Sequence, residues 1–448
     1  MNGFYKILMD EQIEIKPNST VSSNFSPSFL EFLQENHIDP GVYDVFSKLP
    51  RYVRVLRYNR RSNEEISEIV LKISRDAGCK VNLVRGIPGF LEITDSAIKL
   101  SQLRSYSSGD IIGMDVSSGI AALALSVAPG DNVLDLCCAP GTKLLLLAEM
   151  LNNPKCNTDS EPSIDSLKGS VTGVDISAHR AATCRSLIKK YAGNNKAYIR
   201  LFLEDGTTFD EKAPQSQWWD PQRIKYAAST NGNLHNSWRK ERKADGRPWF
   251  ATKMLSTAYA CDGSELYDRV LVDAECTHDG SLTHVQKYER WGWDQLDALV
   301  INDNRSASVP LLQSRLLENG WRLLKPGGIL VYSTCSLSRY QNEYVVGGFL
   351  SRHGEDEASV ERIPAIEDAI IATAPIWMPE NESKQAQNNF SDRKGIFERM
   401  VHAVRLDPSV SNSSGMFVAR IRKLKGSNSS LFAGQSKSIV PLELSFSK

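Results

Sequence analysis

The chain reads as an α/β protein: a parallel sheet covered by helices, with a smaller α+β unit ahead of it. Two observations carry that expectation. From Asn132 to Ser333, apolar runs of strand length alternate with helical periodicity, the pattern of right-handed βαβ units. Three of those runs also end at polar or reactive residues, in Val133–Lys143 (VLDLCCAPGTK), Asp268–Cys276 (DRVLVDAEC) and Gly327–Cys335 (GGILVYSTC). In an open α/β sheet, ligands bind at the carboxyl ends of the strands.

Taken in order, Ser28–Asn36 predicts an amphipathic helix with Phe29, Leu30, Phe32 and Leu33 on one face. Arg51–Arg61 alternates cationic and apolar residues, as a half-exposed strand with a basic outer face would. Glu64–Ala77 reads as a helix, and Val81–Val84 and Leu91–Thr94 as strands, which makes residues 1–105 one α+β extension. Residues 106–425 then form the main domain. Its expected strands are Asn132–Leu136, Val171–Ile176, Ala197–Leu203, Asp268–Asp273 and Gly327–Ser333, with a late strand at Gly415–Ile421. Its expected helices are Thr142–Leu151, Ala178–Tyr191 and Val309–Leu324. Residues 426–448 are Ser/Lys-rich and expected to be disordered.

Residues 207–266 interrupt the rhythm with a connection far longer than the usual ~2–6 residues. The insertion holds Trp218, Trp219, Tyr226, Trp238, Trp249 and Phe250 among Arg223, Lys225, Arg239, Lys240, Arg242, Lys243, Arg247 and Lys253. Aromatics stack on unpaired bases while cations hold phosphates. Packing of the tryptophans on the domain is the competing reading, and the two are compatible.

A length of 448 residues suggests two or three domains at roughly 100–200 residues each. The 53 Lys and Arg balance the 53 Asp and Glu, so any nucleic-acid surface must be a local patch. No run approaches the ~20 apolar residues of a membrane span, so no membrane partner is expected. Met1–Lys16 carries Asp10, Glu11 and Glu14 and lacks the marks of a signal or transit peptide. The expected location is therefore intracellular, in cytoplasm or nucleus, the nucleolus included. None of the eight cysteines forms a C-x-x-C pair, and their spacing matches neither a zinc site nor a disulfide framework. Free thiols and no metal are expected. Cys79, Cys156, Cys184 and Cys261 read as small buried hydrophobes.

The segment Cys137-Cys138-Ala139-Pro140-Gly141-Thr142-Lys143 joins a strand to a helix through small residues and a Pro-Gly turn. It allows close backbone approach and presents free N–H groups at a helix N-terminus. Lys143 and those N–H groups suit a carboxylate such as that of S-adenosylmethionine. Asp175 closes the next strand, where an acid hydrogen-bonds ribose hydroxyls, and Arg180 follows on the helix. Asp205 closes the third strand, in reach of an adenine amino group. Acids at successive strand ends favour a nucleoside-bearing cofactor over helix capping alone.

Cys276 and Cys335 follow strands expected to be neighbours. Carbon 5 of cytosine is a poor nucleophile toward a methyl sulfonium. A thiolate added at carbon 6 makes carbon 5 enamine-like. A second group then assists loss of the carbon 5 proton and expulsion of the thiol. A carboxyl group hydrogen-bonded to the base stabilises the adduct, and Asp273 is placed for that role.

With these residues in hand, the chain resembles the NOL1/NOP2/Sun (RsmB/NOP) family of RNA 5-methylcytosine methyltransferases. The resemblance runs from Asp115-Val116-Ser117-Ser118 through Val133–Lys143, Asp175, Asp205, Asp273–Cys276, Leu324–Ser336 and Asn342-Glu343 to Gly415–Lys423. It implies a Rossmann-like class I methyltransferase sheet with an N-terminal RNA-binding extension, S-adenosyl-L-methionine as cofactor, and transfer or ribosomal RNA as partner. It further implies Cys335 as nucleophile, Cys276 as the residue assisting release, and Cys137–Lys143, Asp175, Arg180, Asp205 and Asp273 as cofactor-site residues. A monomer is the default expectation.

Two departures from the family pattern stand out. Thr142 replaces a glycine, and the usual Asp-Ala-Pro-Cys-Ser-Gly reads Asp273-Ala274-Glu275-Cys276-Thr277-His278. The second puts a carboxylate and an imidazole beside the release cysteine, where Glu275 raises a thiol pKa and a protonated His278 lowers it. Activity is expected, with altered turnover or substrate fit. An RNA-binding assembly factor that keeps the fold without catalysis is the alternative.

Overall fold

The computed structural model describes residues 25–45, 49–151, 169–192, 198–214, 249–251, 265–297, 303–367, 371–376 and 391–424. The insertion's Trp218, Trp219, Tyr226 and Trp238, its basic residues from Arg223 to Lys253, and the tail at 426–448 lie outside them. Among the described residues no helix is long and apolar enough to cross a membrane.

The larger sheet is built around five parallel strands: β5 (Asn132–Asp135), β6 (Ser170–Val174), β7 (Tyr198–Phe202), β9 (Tyr267–Asp273) and β10 (Leu324–Thr334). Strands covered on both faces need apolar side chains throughout, and Val133, Leu134, Val270, Leu271, Leu330 and Val331 are all fully buried. Beyond β10 the sheet turns antiparallel, with β13 (Met416–Lys423) pairing β10 and β11 (Ala358–Glu361) and β12 (Val404–Leu406) pairing β13. At the far edge β8 (Phe250–Ala251) runs antiparallel to β7. The expected parallel sheet is thus a mixed one of nine strands with a parallel centre. In space the order is β11-β13-β10-β9-β5-β6-β7-β8. The chain moves outward from β5 to β7 and then returns to β9, so the crevice between β5 and β9 is a topological switch point.

The smaller sheet has the order β2-β3-β1-β4, from β1 (Arg51–Val55), β2 (Val81–Leu83), β3 (Phe90–Ile93) and β4 (Ile111–Gly113). Its fourth strand therefore lies past residue 105. The helix Asn63–Ala77 opens with a reciprocal Ser62/Glu65 capping box, closes on Gly78 at φ 65°, and buries Ile66, Ile69 and Ile73 against this sheet. The basic outer face expected of Arg51–Arg61 is absent at its centre. Strand pairing ends at Val55, and Arg54 is only 2% exposed, with Nη1 donating to Glu149 Oε2 at 2.6 Å.

The helix Pro27–Glu35 is capped by the Ser26 hydroxyl and buries Phe29, Phe32 and Leu33, while Leu30 is exposed. It packs with Phe25 and Tyr43 on Leu282, Val285, Tyr288 and Trp293 of the main domain rather than on the smaller sheet. The helix expected at Val309–Leu324 begins earlier, at Asp303, and holds Pro310 inside it. Trp249 and Phe250 pack on the helix Ala178–Tyr191, with the Arg185 guanidinium 4.7 Å from the Trp249 ring and Lys189 Nζ 6.0 Å from Phe250.

Candidate active site

A cavity of about 700 Å³ opens at the switch point. The ends of β5, β6, β7 and β9 give it Leu136 and Cys137, Asp175 and Ile176, Asp205 and Gly206, and Asp273 to Glu275. The smaller sheet closes another side through Arg51 and Tyr52, and Tyr52 donates its hydroxyl to Asn412 O at 2.9 Å.

One wall is formed by the turn after β5. Asp175 Oδ2 accepts from Ala139 N at 3.3 Å and Oδ1 from Ser177 N at 2.9 Å, so one carboxylate ties the Pro-Gly turn to the following helix. Arg180 Nη2 donates to Ala139 O at 3.0 Å. Asp205 caps its own turn through Thr207 N and Oγ1, both at 2.8 Å. Cys137, Ala139, Pro140, Lys143, Asp175, Arg180 and Asp205, all expected at a cofactor site, border the cavity. Cys138, Gly141 and Thr142 do not. Cys138 is buried beneath Gly173, and Gly141, at φ 106°, is held where a Cβ would stand 2.7 Å from Cys184 Sγ. Thr142 begins the helix. These three shape the turn from behind.

Lys143 Nζ donates to Asp273 Oδ2 at 2.7 Å and to Ser118 Oγ at 3.0 Å, which uses two of the three donors of its ammonium. Burial works against the charge, but Asp273 outweighs it and the lysine pKa is raised. Asp273 Oδ1 accepts from Ser333 Oγ at 2.7 Å, across the register pair Ser333–Asp273 of β10 and β9. Asp273 is therefore fixed at both oxygens on the cavity wall.

The thiols follow Asp273 and Ser333 on the same two loops. Cys276 Sγ lies 3.3 Å from Cys335 Sγ, Cys276 is fully buried, and Cys335 borders the cavity. The loops that hold them are knitted together. Ala274 N donates to Ser333 O at 2.9 Å, Gly280 N to Cys335 O at 3.0 Å and Leu337 N to Asp279 Oδ2 at 2.7 Å. Gln341 bonds Thr277 twice, from Nε2 to Oγ1 at 2.8 Å and from Thr277 N to Oε1 at 3.1 Å. Gly280 is required here, since a Cβ would meet Cys335 O at 2.8 Å.

His278 joins the pair. Its Nδ1 is 2.9 Å from Cys335 Sγ and 3.6 Å from Cys276 Sγ, and its backbone holds φ at 57°, a conformation that favours glycine. The three atoms lie within 4.8 Å of one another. The sulfur–sulfur separation of 3.3 Å is shorter than the ~3.7 Å between thiolates set around a tetrahedral zinc at Zn–S ≈ 2.3 Å. Burial opposes ionisation of Cys276, but the Cys335 hydrogen bond and the positive imidazole outweigh it and hold this thiol well below its ordinary range. Cys335, donating to Cys276 and buried, is held well above. The negative Cys276 raises the His278 pKa. The two sulfurs and the imidazole therefore titrate as one cluster rather than as three separate groups.

Sequence reasoning placed His278 beside Cys276 only. Its shorter contact, to a residue 57 positions away, comes from the pairing of β9 with β10. Asp135, which no sequence signal marks, is buried at the end of β5, where burial, then Asp273, pushes its carboxyl up to about 8. Ser118 had one signal, its place in the Asp115–Ser118 motif.

Comparison with known proteins gives a consistent picture. A family model described as 16S rRNA methyltransferase RsmB/F matches residues 220–422. Ribosomal RNA small subunit methyltransferase B of Xanthomonas campestris pv. campestris is 28% identical over 267 residues, which cover 59% of this chain and 43% of that protein. The 5-cytosine rRNA methyltransferase NSUN4 of Bos taurus is 30% identical over 248 residues, covering 55% and 47%. The multisite-specific tRNA:(cytosine-C(5))-methyltransferase trm4b of Schizosaccharomyces pombe is 26% identical over 346 residues, covering 72% and 44%. The chain spans less than half the length of these relatives. The crystal structure of NSun6 from Pyrococcus horikoshii with SFG shares the fold at TM-score 0.55 and 16% identity, covering 90% of this chain and 99% of that one.

Proposed function

The chain belongs to the NOL1/NOP2/Sun family, and from that premise we propose that it forms 5-methylcytosine in RNA, using S-adenosylmethionine and a covalent bond from Cys335 to the base. The observation that carries this reading is the 3.3 Å contact between Cys276 and Cys335, the second of which lines the same cavity as Asp273. An RNA cytosine-5 transfer reaction needs a nucleophile for carbon 6, a group to assist release, and an acid-bearing contact to the ring.

The residues present fit the cofactor. Asp175 and Asp205 offer acceptors for hydroxyl and amino hydrogens at adjacent strand ends, while Pro140, Ile176 and Leu316 supply apolar wall for a flat base. Ile176 is 68% exposed, an apolar side chain with no protein cover in the cavity. When bound, the cofactor supplies an electrophilic methyl group. Lys143 fixes Asp273, which with Ser333 is positioned to bond the pyrimidine edge. Cys335 Sγ attacks carbon 6, and Cys276 stands next to the sulfur–carbon bond that must later break.

Relatives are named for ribosomal and for transfer RNA, so either is the substrate class to test. Bisulfite sequencing of RNA with and without the protein identifies the cytosine. Cys335→Ala is expected to abolish transfer, a loss of more than about a hundredfold for a missing nucleophile. Cys276→Ala should accumulate a protein–RNA adduct that survives denaturing gels. Product at the wild-type level from the Cys335 variant refutes the assignment. Cofactor binding with no adduct on any RNA favours the assembly-factor alternative.

A further inference from the structure

We propose that His278 is the base of the thiol cluster, taking one proton from the Cys276–Cys335 pair so that Cys335 meets its substrate as a thiolate. The inference deepens the proposed reaction and rests on Cys335 as its nucleophile.

The geometry assigns the role. Nδ1 stands 2.9 Å from Cys335 Sγ, nearer than to Cys276 at 3.6 Å, so the imidazole faces the sulfur that borders the cavity. A residue at φ 57° is held there against its preference, in a position where the family pattern has glycine. The transfer is simple: the S–H bond breaks, its electron pair stays on sulfur, and the proton forms an N–H bond at Nδ1. Attack then uses the sulfur pair to form the bond to carbon 6. The imidazolium remains beside the sulfur and stabilises it again when that bond breaks. A neutral thiol would have to lose its proton to water during attack, and His278 removes that requirement.

The surrounding charges are mixed. Lys143 and Asp273 face Cys335 and neutralise one another, while Asp279 and Glu275 act on His278 together with Cys276. The His284 ring, centred 5.3 Å from the His278 ring, has its pKa lowered to about 4 by burial first, so near neutral pH it adds no competing positive charge.

The test is the pH dependence of Cys335 alkylation by iodoacetamide, read by peptide mass spectrometry on the full chain. His278→Gly suits the backbone at φ 57° and keeps the loop intact, and His278→Gln retains a polar side chain that takes no proton in this range. Both variants should move the alkylation midpoint up by at least about one unit, roughly tenfold slower at a fixed pH below it. The same displacement should persist in a Cys276→Ser background, which assigns it to Cys335. Curves that overlay the parent's in either background overturn the proposal. Because alkylation needs neither RNA nor cofactor, a displaced curve with no methyl transfer would uphold His278 as base while refuting the methyltransferase reading.

Discussion

Asp135 shows how a single residue carries the cost of the cofactor wall. It is 1% exposed at the end of β5, and burial, reinforced by Asp273, pushes its carboxyl up to about 8. An unfolded aspartate titrates near 3.9. A folded pKa above the unfolded one means that its stabilising contribution is full below about pH 4 and is lost as pH rises through about 8. Asp135→Asn keeps an acceptor for Cys137 N–H and removes the ionisation. We expect its melting temperature to pull ahead of wild type between pH 5 and 9. Each pKa unit corresponds to about 1.4 kcal/mol, so a divergence of a few degrees is expected. Melting curves that run parallel across that range would contradict the assigned burial cost.

Between elements, the tightest of the glycine contacts among the described residues is at Gly119. Gly119 lies in the helix Val116–Leu123, and a Cβ there would stand 2.2 Å from Phe90 Cζ of β3. Gly119→Ala should destabilise by ~1–3 kcal/mol in urea titration, the usual range for overpacking. Pairing it with Phe90→Leu should recover part of the loss, whereas simple additivity would show that the two do not share space. This contact was invisible in the sequence, and the reason is general to the chain. Helices with local signals were legible to the residue: Thr142–Leu151 follows its Pro-Gly turn, and Ala178–Tyr191 follows the Ser177 cap. The parallel strands were legible to within three residues because burial on both faces demands unbroken apolar runs, as in Tyr267–Asp273, whereas β4, β8, β11 and β12 were not expected. Pairings between distant segments left no such trace. The alternation of Arg51–Arg61 suggested an outward basic face, but only tertiary structure supplies Glu149 to bury Arg54. The thiols were legible as strand-end residues, but their 3.3 Å contact and the imidazole against Cys335 depend on the register of β9 with β10.

Across the whole molecule, one hydrophobic cluster bridges the two sheets. Tyr52, Leu56, Phe90 and Ile112 from the smaller unit pack in the same cluster as Leu144, Leu145, Leu147 and Val171 of the larger. Arg54 of β1 reaches Glu149 at 2.6 Å, with side chains 2% and 10% exposed. Such a pair need not stabilise more than an apolar replacement would, but removing one partner strands a buried charge at ~3–5 kcal/mol. A cavity walled by both units, with Tyr52 on one side and Asp273 on the other, keeps its shape only while they stay docked. The described residues should therefore unfold together, as one calorimetric transition. Glu149→Ala should lower that transition without dividing it, since the apolar contacts around Phe90 and Leu145 remain. A thermogram in which the variant or the wild type resolves a separate early transition for the smaller sheet would mean that the units are merely adjacent. The cavity wall formed by Arg51 and Tyr52 would then be a movable element rather than a fixed part of the site.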